Sequence, residues 1–208
     1  MIEKYYSGGN LFHALAQLPK GIPQSFIAKI MKQVFEGVSF LHDRMDVSHN
    51  SLSPGDILFA KAPTNFSECP NVVIAGAGLE LVDGFGSSTS AETDCRYHSP
   101  ERLAKRQCSK AADIWSLGVI FYEVASGGKL PFSNELNEVG FGTLSCQWTE
   151  HMDKIRDAIL DPSFEPDWSQ AGGIDAQGVV LLKSMLDRNL DLRRTISQCR
   201  EHRWFETA

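Results

Sequence analysis

The chain has 208 residues, of which 42% are hydrophobic and 22% are charged. This composition is that of a globular domain and excludes a mostly disordered chain, which would lack the apolar residues needed to offset its ordering entropy. Lys and Arg total 20 against 26 Asp and Glu, giving a formal net charge of −6. This balance argues against nucleic-acid binding, because phosphate contacts require clustered basic side chains.

Membrane and secretory features are not expected. No apolar run approaches the ~18 residues that a membrane helix needs, and the N-terminus has no apolar core of a signal peptide. The five cysteines form no C-x-x-C pair, which favours reduced thiols over a disulfide scaffold or a zinc module. We therefore expect one cytoplasmic domain with no membrane and no nucleic-acid partner.

Hydrophobic periodicity divides the chain into helices and a few short strands. Residues 23–45 carry apolar side chains at helical spacing and begin with a proline, which is typical of a helix start. Residues 111–125 are apolar on nearly every side, which predicts a helix inside the core. The same patterns predict strands at 56–60, 72–75 and 79–82 and helices at 150–160, 176–186 and 197–205. The predicted fold class is mainly α with a small β component.

Four segments carry residues suited to a chemical site. In chain order they are 48–58 (SHNSLSPGDIL), 81–86 (LVDGFG), 97–101 (YHSPE) and 113–119 (DIWSLGV). The first two border predicted strands, and the last lies in the predicted core helix. Any one of them is a weak signal, whereas their order and spacing together are specific.

Together the four segments resemble the C-terminal lobe of a eukaryotic protein kinase, whose pattern is H-R-D-L-x-x-x-N, then D-F-G, then A-P-E. Residues 1–10 resemble the hinge of that fold, and residues 193–205 resemble its last helix. The resemblance covers 1–208 as a single protein-kinase-like domain and is nearest to the calcium/calmodulin-dependent serine/threonine group. The sequence contains no G-x-G-x-x-G-x-V segment and no V-A-I-K-type strand, so a C-lobe lacking the N-lobe is expected.

The first segment departs from the family pattern where the chemistry is performed. His49 matches and is expected to lock the loop backbone, but Asn50 replaces the arginine and Ser51 replaces the catalytic aspartate. A serine hydroxyl is a weak base and carries no charge to orient a substrate hydroxyl. Ser53 replaces the usual lysine, which removes a positive charge beside the transferred phosphate. No intact catalytic residue is therefore predicted.

Two carboxylates are candidates for a metal site. Asp56 replaces the metal-binding asparagine of the pattern, and Asp83 matches the D-F-G aspartate, although the two residues after it are exchanged. In the family these positions hold magnesium. Asp56 and Asp83 form a pair for one cation, or they are solvated remnants at a loop and a strand end. The second interpretation is favoured.

Nucleotide contacts are implied by the resemblance only as remnants, at Glu3, Asn10 and Leu58. No cofactor is firmly implied. Weak binding of Mg-ATP through Glu3, Asp56 and Asp83 is a separate hypothesis.

Positions that hold the family's fold together match the pattern. Glu101 stands at the A-P-E glutamate, which in the family pairs with an arginine near the last helix, here Arg193 or Arg194. Asp113 heads the predicted core helix and, by resemblance, accepts hydrogen bonds from the catalytic-loop backbone. The substitutions thus spare the framework and affect the chemistry.

Two functions follow from the resemblance. The first is a catalytically inactive kinase-like domain that binds or regulates proteins, with a partner on the face that an N-lobe would cover, near Leu58, Val82 and Phe85. The alternative is an active serine/threonine protein kinase with atypical residues, or an N-terminally truncated record of one.

Overall fold

The computed structural model describes residues 5–18, 21–77, 95–105, 109–133 and 148–207. Within them the α-helices are α1 (Leu11–Ala16), α2 (Gln24–Ser39), α3 (Pro100–Lys105), α4 (Lys110–Ser126), α5 (Trp148–Leu160), α6 (Ala176–Met185), α7 (Ile196–Arg200) and α8 (Trp204–Thr207). The strands are β1 (Ile57–Phe59) and β2 (Val72–Ile74). The prediction of a mainly helical fold with a small β component is confirmed.

Helix α2 forms where the apolar stripe predicted it. Pro23 occupies its N-cap position, and the helix continues into a π-helical turn at Phe40–Arg44. Its apolar face, which includes Ile27, Ile30 and Val34, is fully buried. The stripe therefore packs into the core, as period 3.6 requires of a helix with one apolar face.

The two strands form an antiparallel pair in the register Ile57↔Ile74, Leu58↔Val73 and Phe59↔Val72. Ile57 and Phe59 are fully buried, whereas Leu58 is half-buried. Because side chains alternate along a strand and paired residues share a face, Leu58 and Val73 point away from the core. The predicted strand at 79–82 lies outside the described residues.

Helix α4 is the central element. Ser109 caps its N-terminus by accepting from the Ala112 N–H at 3.1 Å, and Gly127 ends it in the left-handed conformation that glycine adopts without strain. Every residue from Ala112 to Ala125 is buried. Trp115 stacks on Phe132 with ring centroids 5.1 Å apart. The prediction of a helix buried on all sides is confirmed.

The single helix predicted at 197–205 is wrong, because the chain forms two short helices there, α7 and α8. A capping box between Thr195 and Gln198 starts α7. The chain leaves the helix at Glu201, and Nδ1 of His202 then accepts the Trp204 N–H at 3.3 Å. That side-chain acceptor replaces a helical carbonyl and permits the break.

A buried ion pair ties α3 to the segment before α7. Arg193 donates from Nη1 to Glu101 Oε1 at 2.6 Å and from Nη2 to Oε2 at 3.0 Å. It also donates to the carbonyls of Ala111 and Asp187, and its guanidinium lies 5.1 Å from the centre of the Trp115 ring. Burial opposes ionisation of Glu101, but the hydrogen bonds and charge of Arg193 outweigh it and hold the pKa of this carboxyl below its ordinary value.

In the described residues, no helix is both long and apolar enough to cross a membrane.

Glu101→Gln should lower the stability of the protein and flatten its acid dependence. A carboxyl with a depressed folded-state pKa contributes stability above the unfolded value of ~4.3, and this contribution is lost as the pH falls through the folded pKa. We expect a loss of up to ~3–5 kcal/mol at pH 7, because Arg193 stays buried without its anion. Urea unfolding at several pH values between about 3 and 7 measures both effects.

Glu165→Gln is the matched control, since Glu165 is exposed. It should leave the pH profile of unfolding unchanged. A Glu101→Gln profile as steep as that of the unsubstituted protein would show that the ion pair does not carry the acid dependence.

Candidate functional site

The site is built on the segment between the π-helical turn and β1. His49 is 1% exposed, and its backbone N–H donates to Asp113 Oδ2 at 2.7 Å. On the other side, its Nε2 lies 2.8 Å from the carbonyl oxygen of Ala75, to which it donates. His49 therefore links the segment to helix α4 and to the end of β2 at the same time.

Asp113 is the anchor of the segment. Its side chain is 1% exposed and accepts from the N–H of His49 and, at 2.8 Å, from the N–H of Asn50. It also accepts from Nε2 of His42 at 2.8 Å. A carboxylate offers about four acceptor positions, so one side chain satisfies three donors, two of them buried and the Asn50 N–H partly buried. The contact expected between Asp113 and the backbone of the loop is present.

A second clamp lies beside the first. Lys110, in the first turn of α4, donates to the carbonyl of His42 at 2.7 Å and contacts Asp46. The Lys110 contact lowers the pKa of Asp46 through hydrogen bonding and charge. The first turn of α4 is thus bonded to His42, which precedes the segment, and to Asp46 within it.

Asn50 adopts a left-handed backbone conformation, with φ of 71°. Asparagine tolerates this region better than most residues. Its Oδ1 is buried and meets no hydrogen-bond donor in the part of the chain that the structure describes. Ser51 follows and is half-buried. The backbone next to Ser51 is therefore held in a defined shape. Ser51 aligns with the catalytic aspartate of the family pattern, so this position carries a hydroxyl in place of a carboxylate.

Ser53 and Asp56 satisfy each other. Oδ2 of Asp56 accepts both the Ser53 N–H and the Ser53 hydroxyl at 2.8 Å, and the Ser53 hydroxyl accepts the Gly55 N–H at 3.2 Å. These bonds form a capping box around the 3-10 turn Pro54–Asp56. One oxygen of Asp56 is therefore committed to holding the turn.

Gly76 is a residue of this site that the sequence analysis missed. Its φ is +76°, and a Cβ placed on it would lie 3.2 Å from Asp56 Oδ1 and 3.9 Å from Cε1 of His49. The signal that could have found it is the run Ile74-Ala75-Gly76 at the end of a predicted strand. Position 76 faces Oδ1 of Asp56, but glycine has no side-chain oxygen that could bind a cation together with it.

Magnesium does not fit the donors that the structure describes here. Mg²⁺ requires oxygen ligands in a near-octahedral arrangement and is usually held by one or two carboxylates together with substrate phosphates. Asp56 offers a single uncommitted oxygen, and Gly76 offers none. No group of three or more His, Cys, Asp or Glu side chains suited to a metal occurs among the described ranges. The other predicted metal residue, Asp83, lies outside them.

The structure brings together two of the three residues implied in nucleotide binding. Asn10 and Leu58 form an antiparallel bridge, and the Phe59 N–H donates to the Gly9 carbonyl at 2.9 Å. Oδ1 of Asn10 accepts the His13 N–H at 2.9 Å and so caps α1. Asn10 is therefore used structurally. Glu3 lies outside the described residues, as do Val82 and Phe85.

Comparison with known families identifies the architecture. The family model described as "Protein kinase domain" matches residues 1–205. The solved structure of Rad53 residues 1–466 in complex with AMP-PNP superposes with a TM-score of 0.68 at 22% identity, covering 97% of this chain and 45% of that one. At 22% identity, this superposition shows that the fold is shared and nothing more.

Curated relatives are protein kinases. Mitogen-activated protein kinase kinase 2 of Arabidopsis thaliana is 25% identical over 97% of this chain and 51% of its own length. CBL-interacting protein kinase 30 of Oryza sativa subsp. japonica is 30% identical over 100% of this chain and 38% of its own. A probable myosin light chain kinase of Dictyostelium discoideum is 27% identical over 98% and 58%. The chain spans about half the length of such relatives, and its likeness to the calcium/calmodulin-dependent group is only partial.

Asp113→Ala should destabilise the protein strongly. The substitution leaves the buried N–H of His49 and the partly buried N–H of Asn50 without an acceptor, and each buried group left unpaired costs about 1–3 kcal/mol. We expect the free energy of unfolding to fall by about 2–5 kcal/mol in urea titration. Amide hydrogen exchange at these two residues should accelerate in the same variant.

Asp191→Ala is the control, since Asp191 is exposed and its replacement should change stability by less than ~0.5 kcal/mol. An Asp113→Ala protein as stable as this control would disprove the anchoring role.

Proposed function

The chain belongs to the protein kinase family, and we propose that it is a catalytically inactive member that binds or regulates other proteins. The observation that carries the proposal is the contrast within one loop. Asp113 and His49 hold its backbone by buried and partly buried hydrogen bonds of 2.7–2.8 Å, yet Ser51 stands at the position of the catalytic aspartate.

The loss at Ser51 removes the general base. In kinases the catalytic-loop aspartate accepts the proton of the substrate hydroxyl. A serine side chain has an O–H of its own and no charge, so it neither takes that proton at neutral pH nor orients the nucleophile. General-base assistance contributes about 10²–10⁴-fold to a rate.

The replacement of the usual lysine by Ser53 adds to the effect of the missing aspartate at position 51. A lysine there would place a positive charge beside the phosphate in transfer, and phosphoryl transfer depends on such charge stabilisation. The serine instead bonds to Asp56 at 2.8 Å. These two residues have therefore taken a role in shaping the turn.

The alternative function is phosphoryl transfer by an active serine/threonine kinase with atypical residues. It is favoured by the intact framework, in which Glu101 and Arg193 are joined by bonds of 2.6 and 3.0 Å. It is also favoured by the relatives, which are described as kinases and are longer than this chain. It requires another group to serve as the base.

A phosphotransfer assay separates the two functions. The purified protein, at its natural length, should transfer no label from Mg-ATP to Ser- or Thr-containing peptides above the background of its own Ser51→Ala variant. Ser51→Asp alone should remain inactive, because Asp56 stays engaged with Ser53. CBL-interacting protein kinase 30, assayed in parallel, shows that the conditions support transfer.

Label transfer that is lost on Asp56→Ala would establish the alternative and defeat the proposed function. The dependence on a residue of this chain is the essential part of that result, because it excludes a contaminating kinase.

The partner is proposed to bind the outer face of the β1–β2 pair. Leu58 and Val73 are paired across the strands on the face opposite the buried Ile57 and Phe59. Both are half-buried rather than covered. The two side chains lie next to each other, and contiguous apolar surface of sufficient area is where proteins bind one another.

Val73→Lys should therefore weaken association without unfolding the protein. Crosslinking in cells, followed by mass spectrometry, should recover at least one protein with the unsubstituted chain and lose it with Val73→Lys. Val180→Lys is the matched control, since Val180 is an aliphatic residue 49% exposed on helix α6, and it should retain the same protein. Equal recovery with both variants would contradict the placement of the partner.

A further inference from the structure

We propose that Gly76, and not Asp83, corresponds to the D-F-G aspartate of this domain, so that the second metal-ligand position carries glycine. The inference rests on the proposed function in treating the site as kinase-like, and it adds a defect independent of Ser51. The family pattern predicts a magnesium site here. The residues present do not fit one, because a glycine stands where the pattern has the second carboxylate.

The strand pairing fixes which residues stand beside Asp56. Strand β1 begins at Ile57, directly after Asp56, and Ile57 pairs with Ile74 in an antiparallel register. The residue before Ile57 is therefore opposite the residue after Ile74. Consistent with this, the Ala75 N–H donates to the Asp56 carbonyl at 2.8 Å.

His49 fixes the same point from the other side. Its Nε2 donates to the Ala75 carbonyl at 2.8 Å, so the residue that precedes Gly76 is held through both its own N–H and its own C=O. The Cβ position of Gly76 then lies 3.2 Å from Asp56 Oδ1. An acid at position 76 would bring a second carboxylate to the uncommitted oxygen of Asp56, and two carboxylates together hold a divalent cation better than one.

The backbone at position 76 supports the same register. Its φ of +76° is free of strain for glycine and, after glycine, is best tolerated by asparagine and aspartate. The position therefore has a shape that a short acidic residue could adopt, although the chain has glycine there.

The sequence around the two candidates agrees with this assignment. Residues 74–79 read IAGAGL, which places a glycine in the third position of the motif, as in D-F-G. Residues 83–86 read DGFG, in which the aromatic residue comes one place late. In the first alignment the aspartate and phenylalanine are both lost, and no exchange of order has to be assumed.

Mn²⁺ titration monitored by amide NMR tests the assignment, because a bound paramagnetic ion broadens nearby signals whether or not the protein turns over ATP. Four proteins are compared: the unsubstituted chain, Asp83→Asn, Gly76→Asp and Gly76→Asn. The signals to follow are those of residues 53–58 and 75–77. Thermal melting checks that each variant is folded.

We expect the unsubstituted chain and Asp83→Asn to titrate identically, with no saturable broadening at these residues. Gly76→Asp should gain saturable broadening at Mn²⁺ concentrations at least about tenfold lower, because a second carboxylate is added to the site. Gly76→Asn, which has the same size and backbone preference without the charge, should show no such gain.

Saturable broadening in the unsubstituted chain that is lost on Asp83→Asn would overturn the inference. A folded Gly76→Asp protein that gains no binding would also overturn it. If Gly76→Asp does not fold, the comparison between the unsubstituted chain and Asp83→Asn decides alone. Phosphotransfer by this chain would defeat the proposed function, whereas these titrations judge position 76 separately.

Discussion

One buried carboxylate sets the shape of the site. Asp113 accepts two backbone N–H groups of the loop and the ring N–H of His42, all within 2.7–2.8 Å. The His42 and His49 donors are buried and the Asn50 donor is partly buried, so an alternative loop shape would leave the carboxylate or the amides unpaired, at a cost of several kcal/mol. Asp113 belongs to helix α4, which is buried in the core. The position of the helix therefore determines the position of the loop that is bonded to it.

The residues that hold the framework match the kinase pattern, whereas several residues at the positions of its chemistry differ from it. Glu101, Arg193 and Asp113 each make the short, buried, charge-assisted bonds that give a fold its rigidity. Under the proposed function and the inference about position 76, Ser51 and Gly76 stand where phosphoryl transfer needs ionised side chains. A loop held in one shape also suits the proposed binding role, because a preorganised surface loses little entropy when it binds.

The sequence was sufficient for the elements whose periodicity is strong. Helices α2 and α4 lie where their apolar patterns placed them, because burial of those faces is what stabilises them. It was insufficient at the C-terminus, where the break between α7 and α8 depends on one bond from the Trp204 N–H to the His202 ring. Such a bond leaves no periodic signal. Gly76 was missed for a similar reason, since its meaning comes from a strand register that only the structure supplies.

The capping box between Ser53 and Asp56 has a consequence for the origin and reversal of these changes. Restoring a lysine at 53 would remove the hydroxyl from the Pro54–Asp56 turn, and freeing Asp56 would still leave glycine opposite it. Each single reversion is therefore penalised in stability or gains nothing on its own. Under the proposed function, a gain of catalysis would therefore need concerted replacement at several positions, which lie in the Pro54–Asp56 turn, before it and after β2.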